Sequence, residues 1–216
     1  MAVIKIYIEG GVLPNASLAV QTINNSQRLR ESFYKLLSQK VEPDRFELQV
    51  EIGGGFQNTI KLFRAEFEKD SNTHLLIDLD LPKSQRKKKI AAIELDDEIF
   101  YGKIFFMVQE METWILSQPV KIEQCFAHLK RVRIKDTIEN DNLIKDIHPE
   151  DITKPSAKLR VLLGRYFREE RKGKLKRKKY KKLKDGADLL ELLDINALEE
   201  VFEDIKAIVK TLQERD

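Results

Sequence analysis

Two hydrophobic periods alternate along the chain as far as Val108. Val3 to Ile8 is a strand-length run, and Leu29, Phe33, Leu36 and Leu37 then recur at helical spacing up to about Lys40, with Asn15 or Ser17 as the expected cap. Phe46, Leu48, Val50 and Ile52 alternate with polar residues, the pattern of a half-exposed strand. Gly53, Gly54 and Gly55 turn the chain into a short helix carrying Ile60, Phe63 and Phe67 on one face, before His74 to Leu79 supplies a third strand. Ser84 is placed to cap the next helix, and Ile104 to Val108 is a fourth strand without a polar position. This β-α-β-α-β-α-β order predicts an α/β fold, a mostly parallel four-stranded sheet with right-handed crossovers, flanked by helices.

Past the fourth strand the pattern changes. Glu110 to Leu116 reads as the start of a helix with Met111, Trp114 and Ile115 inward, and a less regular stretch runs on to Pro149 and Pro155. Leu198, Val201, Phe202, Ile205, Ile208, Val209 and Leu212 form one stripe of a closing helix, with Asn196 and Glu199 spaced as a capping box. The expected organisation is an α/β core over 1–118 and a mainly helical extension over 119–216, with a basic segment at 172–184.

Two of the strands end abruptly in carboxylate. The first gives way to Glu9, Gly10 and Gly11, and the third to Asp78 and Asp80. In an open parallel sheet the first polar residues after a buried strand lie at the carboxyl edge, where ligands bind. Three acidic groups there suit a hard cation such as Mg²⁺ or Mn²⁺, which takes oxygen ligands. In a regular strand Asp78 and Asp80 sit on one face, so sharing a site with Glu9 depends on how the chain bends around Leu81 and Pro82. Glu9 is a candidate metal ligand or general acid and base. Glu110, directly after the fourth strand, is a candidate ligand to a second ion, and Glu112 suits the first turn of a helix, where it complements the dipole. Short polar residues that merely cap helices and form turns are the plainer reading of all these acids.

A strand followed by Glu-Gly, a Gly-rich turn before the second helix and Asp-x-Asp after the third strand together resemble the Toprim domain of topoisomerases, primases, recombination mediators and overcoming-lysogenization-defect nucleases. The stretch VEIGGGFQNTIKLF is similar to the nuclease branch. The resemblance implies that Glu9 is the general acid or base, that Asp78 and Asp80 bind Mg²⁺, and that the reaction is phosphodiester hydrolysis on DNA or RNA. Over nearly the whole chain, IYIEGG, LLIDLD, FFMVQEMETWIL, the Pro155 to Leu159 stretch and YKKLKDGADLLELLDINALEEVFEDI resemble Toprim-like proteins of unknown function found beside ATPase genes in bacterial defence loci. That implies a separate ATPase partner, because no G-x-x-x-x-G-K-[ST] occurs in this sequence.

Charge adds a second candidate. The net charge is only +3, yet KGKLKRKKYKKLK at 172–184 is dominated by Lys and Arg, and the segment from Asp185 onward is largely acidic. Lys174, Lys176, Arg177, Lys178, Lys179, Lys181 and Lys182 are candidate nucleic-acid contacts, against the alternative of a solvated loop paired with the acidic tail. Arg86 to Lys89 could similarly touch a phosphate beside the Asp pair.

Other chemistries recede. Cys125 is the single cysteine, which excludes an internal disulfide and a zinc ribbon, and nothing near it in sequence is built to activate a thiol. His74, His128 and His148 lack metal-ligand spacing, and Trp114 reads as core. The absence of an apolar stretch of spanning length or of an export signal points to a cytoplasmic protein that does not enter membranes, with self-association left open. Two rival functions remain. A haloacid-dehalogenase-type phosphatase places its Asp-x-Asp on the first strand, not the third. A non-catalytic module would use the carboxylates to hold a structural ion while binding nucleic acid or a partner ATPase.

Overall fold

The computed structural model describes residues 2–12 and 19–213, and the expected caps Asn15 and Ser17 lie outside them. The elements follow the predicted order: β1 (Ala2–Ile8), α1 (Val20–Ser38), β2 (Phe46–Ile52), α2 (Phe56–Phe67), β3 (Thr73–Asp78), α3 (Arg86–Ala92) and β4 (Ile104–Met107). The strands form one all-parallel sheet in the order β2-β1-β3-β4. Ser84 does not cap α3; it sits inside a 3₁₀ turn over Lys83–Gln85 that leads into the helix.

Strand alternation divides the core in two. Ile4, Ile6 and Ile8 of β1, Leu76 of β3 and Phe105 and Met107 of β4 face α1 and the extension, where Phe33 and Trp114 are fully buried. Leu75 and Ile77 of β3 and Ile104 and Phe106 of β4 face the other way, onto Ile60 and Phe63 of α2 and onto Ile93. β3 and β4 are therefore buried on both faces, as in the middle of a parallel sheet, whereas β1 and β2 leave alternate residues of one face partly exposed.

The extension begins with α4 (Glu112–Leu116), every residue of which is buried, and α5 (Pro119–Cys125). It is not purely helical. β5 (Lys130–Arg131) leads through a long irregular segment to α6 (Pro155–Tyr166), and β6 (Phe167–Arg171) and β7 (Lys174–Arg177) form a hairpin, giving an antiparallel sheet in the order β5-β6-β7. The first half of the basic segment is thus a strand and its turn, and its end enters α7 (Lys182–Leu190).

The closing stripe is two helices, α8 (Ile195–Val201) and α9 (Glu203–Gln213), broken at Phe202, whose backbone is extended. Asp194, rather than Asn196, caps α8 by accepting from Asn196 N, so the capping box expected from Asn196 and Glu199 is replaced by a simple cap two residues earlier. At the start of α9, Asp204 closes the open edge of β4. Its Oδ1 accepts Phe106 N at 2.9 Å, and Arg86 Nη1 donates to both of its oxygens at 2.6 and 2.5 Å. Among the described residues no helix is long and apolar enough to cross a membrane.

Candidate active site at the sheet switch point

The order β2-β1-β3-β4 reverses direction between β1 and β3, and this is the crevice in which open α/β sheets bind ligands. Glu9 leaves β1 and Asp78 ends β3 on its two sides. The residues after β1 are held to the sheet: Glu9 N donates to Leu76 O at 3.0 Å, and Gly10 N donates to Gly54 O at 2.9 Å. Glu9 Oε2 then accepts the backbone N–H of Asp78 at 3.2 Å. Gly53 is required for this packing, because a Cβ there would stand 2.6 Å from Thr59 Cα at the start of α2.

Asp78 is 7% exposed. Its Oδ1 accepts Met111 N at 2.9 Å, and its Oδ2 lies 3.3 Å from Lys182 Nζ. Beyond Asp78 the regular strand ends: Leu79 N donates to Met107 O and Asp80 N to Gln109 O, and Asp80 takes a left-handed conformation with φ 56°. The chain does bend here, but the bend sends Asp80 outward to Lys89, 3.1 Å away, rather than enclosing a shared site with Asp78. Lys89 lies over the Phe56 ring at 4.2 Å, whereas Arg86 of the same run is committed to Asp204.

Glu112, which the sequence suits to the first turn of a helix, stands beside Asp78 at the shared Lys182. It is fully buried, with Oε1 accepting from Tyr180 Oη at 2.9 Å, Oε2 lacking a hydrogen-bond partner, and Lys182 Nζ at 3.6 Å. A signal was present in the Glu-x-Glu directly after β4, which mirrors the Asp-x-Asp after β3. Glu110 is turned elsewhere: its Oε2 accepts Ser156 N at 2.8 Å, in the first turn of α6 behind Pro155. There it satisfies an orphan donor of a helix amino terminus.

The basic run divides by role. Lys178 is buried, and its ammonium donates to both Asp185 oxygens at 2.8 Å, so it is no surface cation. Lys182 keeps 48% of its side chain in solvent while its ammonium reaches the buried carboxylates. Lys174, Lys176, Arg177, Lys179 and Lys181 are exposed.

Burial dominates the electrostatics. It pushes Asp78 up to about 7, with Glu9 and Glu112 adding to the rise against Lys182. Burial also raises Glu9, reinforced by Asp80, and raises Glu112. Lys182 shifts upward although burial opposes its charge, because Asp78 and Glu112 together outweigh that cost. Cys125 is pushed up to about 12, by burial first and then by Asp188 and Asp185, which leaves it a poor nucleophile.

The donor set is oxygen only, as a hard divalent ion requires, and Glu112 Oε2 is a buried acceptor in want of a partner. Among the described residues no three acidic, His or Cys side chains stand close enough to enclose an ion. Mg²⁺ does not need such enclosure, since it keeps several waters and commonly uses one or two carboxylates.

Fold and site together define an open parallel α/β protein with an acidic switch-point cluster crossed by a lysine. The chain belongs to the family described as a domain of unknown function (DUF4276), whose sequence pattern matches residues 11–213. Nothing among the curated proteins or the solved structures matches it.

Proposed function

We propose that this protein is a Toprim-like, divalent-metal-dependent phosphodiester hydrolase acting on DNA or RNA. The observation that carries the reading is the convergence of Glu9 and Asp78 across the β1/β3 switch point, with Glu9 Oε2 on Asp78 N at 3.2 Å and Asp80 one bend further on.

Asp78 and Glu112, which share Lys182, would hold the ion with waters completing its shell, and the ion when bound would supply charge neutralisation at the phosphate and a more acidic water. Glu9, raised by burial, is suited to carry a proton to or from the reacting oxygens. Lys182 offers a fixed positive charge beside Asp78 and Glu112, where a phosphate oxygen would gain negative charge. Glu110 anchors α6 through Ser156 N and adds negative charge beside Glu112 and Lys182.

A non-catalytic module is favoured by one observation, the existing neutralisation of Asp78 by Lys182 and of Asp80 by Lys89. The resemblance to proteins found beside ATPase genes supports a separate ATPase as partner under either reading. Purified protein incubated with plasmid, linear and single-stranded DNA and with RNA in Mn²⁺ tests the proposal. Cleavage of at least one substrate that is lost in Glu9→Ala supports hydrolysis; no cleavage of any substrate favours the module.

A further inference from the structure

Away from the acidic cluster, the exposed face of α6 and the β6–β7 hairpin enclose a groove of about 620 Å³. Arg133, Arg160, Arg165, Arg168, Arg177 and Lys179 line it, and no acidic residue does. Two of these arginines are directly opposed. Arg168 of β6 and Arg177 of β7 are register partners in the antiparallel pair, where like charges on one face are destabilising.

Part of this charge is compensated from within. Arg165 donates to both Asp141 oxygens at 2.5 and 2.7 Å, and Arg168 Nη1 donates to the Gly164 and Phe167 carbonyls at the end of α6. The side chains of Arg160, Arg177 and Lys179 make no ion pair with any described residue. They stand beside Val161, which is 48% exposed. Arg133 also pairs with Asp136 at 3.6 Å, so the charge left over is that of Arg160, Arg177 and Lys179, and a groove that keeps these three beside a cross-strand arginine pair fits a polyanion of regular charge spacing. The lining residues include no aromatic ring, so base stacking is not its mode, and phosphate contacts are.

We infer that this groove is a sequence-independent docking track for the phosphodiester backbone of duplex nucleic acid. It lies outside the acidic cluster, but its chain continues toward it: Lys179 is followed within three residues by Lys182, whose ammonium touches Asp78. The inference rests on the hydrolase reading for its substrate class and replaces the linear basic run with a three-dimensional set. Arg160 and Arg133 enter that set from outside 172–184. Lys178 contributes no free charge to it, and Lys174 and Lys176 alternate to the strand face opposite Arg177.

The test is fluorescence anisotropy with a labelled duplex in EDTA, so that binding is read without cleavage, over a range of salt concentrations. The wild type is expected to bind with a steep salt dependence. Arg160→Ala/Arg177→Ala should lose at least tenfold in affinity at low salt, and the slope of log affinity against log salt should flatten by about 2, one unit per phosphate contact removed. Lys174→Ala/Lys176→Ala should remain close to wild type, and both doubles should melt as the wild type does. Groove-dependent binding by a protein that cleaves nothing would count against hydrolysis and leave the groove standing. A groove double that binds like wild type at every salt concentration would overturn the inference, as would equal wild-type affinity for polyglutamate.

Discussion

Lys182 Nζ lies 3.3 Å from Asp78 Oδ2 across 104 positions of sequence, tying the amino end of α7 to the carboxyl end of β3. The extension thereby contributes a cation to a site whose acids come from the α/β core. Among the described residues it is the cation that reaches both Asp78 and Glu112.

The buried Asp78 makes stability depend on pH. Its ordinary value is 3.8 and its folded value about 7. Through that window the native protein keeps a proton that the unfolded chain has released, so this group's contribution is full below about 4 and is lost as pH rises through 7. Asp78→Asn cannot ionise and keeps the acceptor for Met111 N. It should melt above the wild type at pH 8, by about 3 °C for each ~1 kcal/mol recovered, and the gap should close toward pH 4. Thermal melts at pH 5 and pH 8 check this, and an equal gap at both would contradict it.

Replacing the lysine has the opposite sign. Lys182→Met should lower stability at pH 8 by about 1 kcal/mol, a modest figure because half the side chain is in solvent. Mn²⁺ should then raise the melting temperature of the variant more than that of the wild type, since the ion meets no competing ammonium. Differential scanning fluorimetry with and without Mn²⁺ reads both effects.

Asp204 is a structural carboxylate. Asp204→Ala strands Arg86 and the Phe106 N–H at the β4 edge and should cost about 3 kcal/mol in urea unfolding, the range for breaking a buried pair. Asp204→Asn keeps the acceptor for Phe106 and should lose less. Neither substitution should alter the Mn²⁺ response.

At the Gly53 turn, Gly53→Ala would drive a Cβ to 2.3 Å from Thr59 Oγ1 and 2.6 Å from Thr59 Cα. A loss of about 1–3 kcal/mol is expected from the forced shift. Thr59→Ala in the same chain should not restore stability, because the backbone clash remains. Urea midpoints of the single and double variants separate the two contacts.

Much of this architecture is written in local pattern. The four parallel strands and the helices between them follow from runs such as Val3–Ile8 and the Leu29, Phe33, Leu36 and Leu37 stripe, because burial on one or both faces dictates those periods. The β6–β7 hairpin is masked by its own charge: in Lys174–Arg177 only Leu175 is apolar, so no alternation shows. The break at Phe202 is hidden for the opposite reason, since the same apolar stripe continues through it.

The acidic cluster was legible as far as strand ends fix residues, which places Glu9, Asp78 and Asp80. Lys182 and Tyr180 reach Asp78 and Glu112 through tertiary packing of α7, which no short spacing reveals. The left-handed turn at Asp80 likewise follows from its backbone bond to Gln109 O, a contact between two strand ends.

Phosphodiester hydrolysis at this site is read from the Mn²⁺-dependent cleavage rate of one nucleic-acid substrate by the wild type, Glu9→Gln and Asp78→Ala at equal protein concentration. Measurable cleavage by the wild type, abolished by EDTA, is expected, with a loss of at least a hundredfold in Glu9→Gln, the scale of removing a proton-transfer group, and a comparable loss in Asp78→Ala, which removes an ion ligand. Cleavage that persists undiminished in both variants, or that is absent from all three proteins, would contradict it.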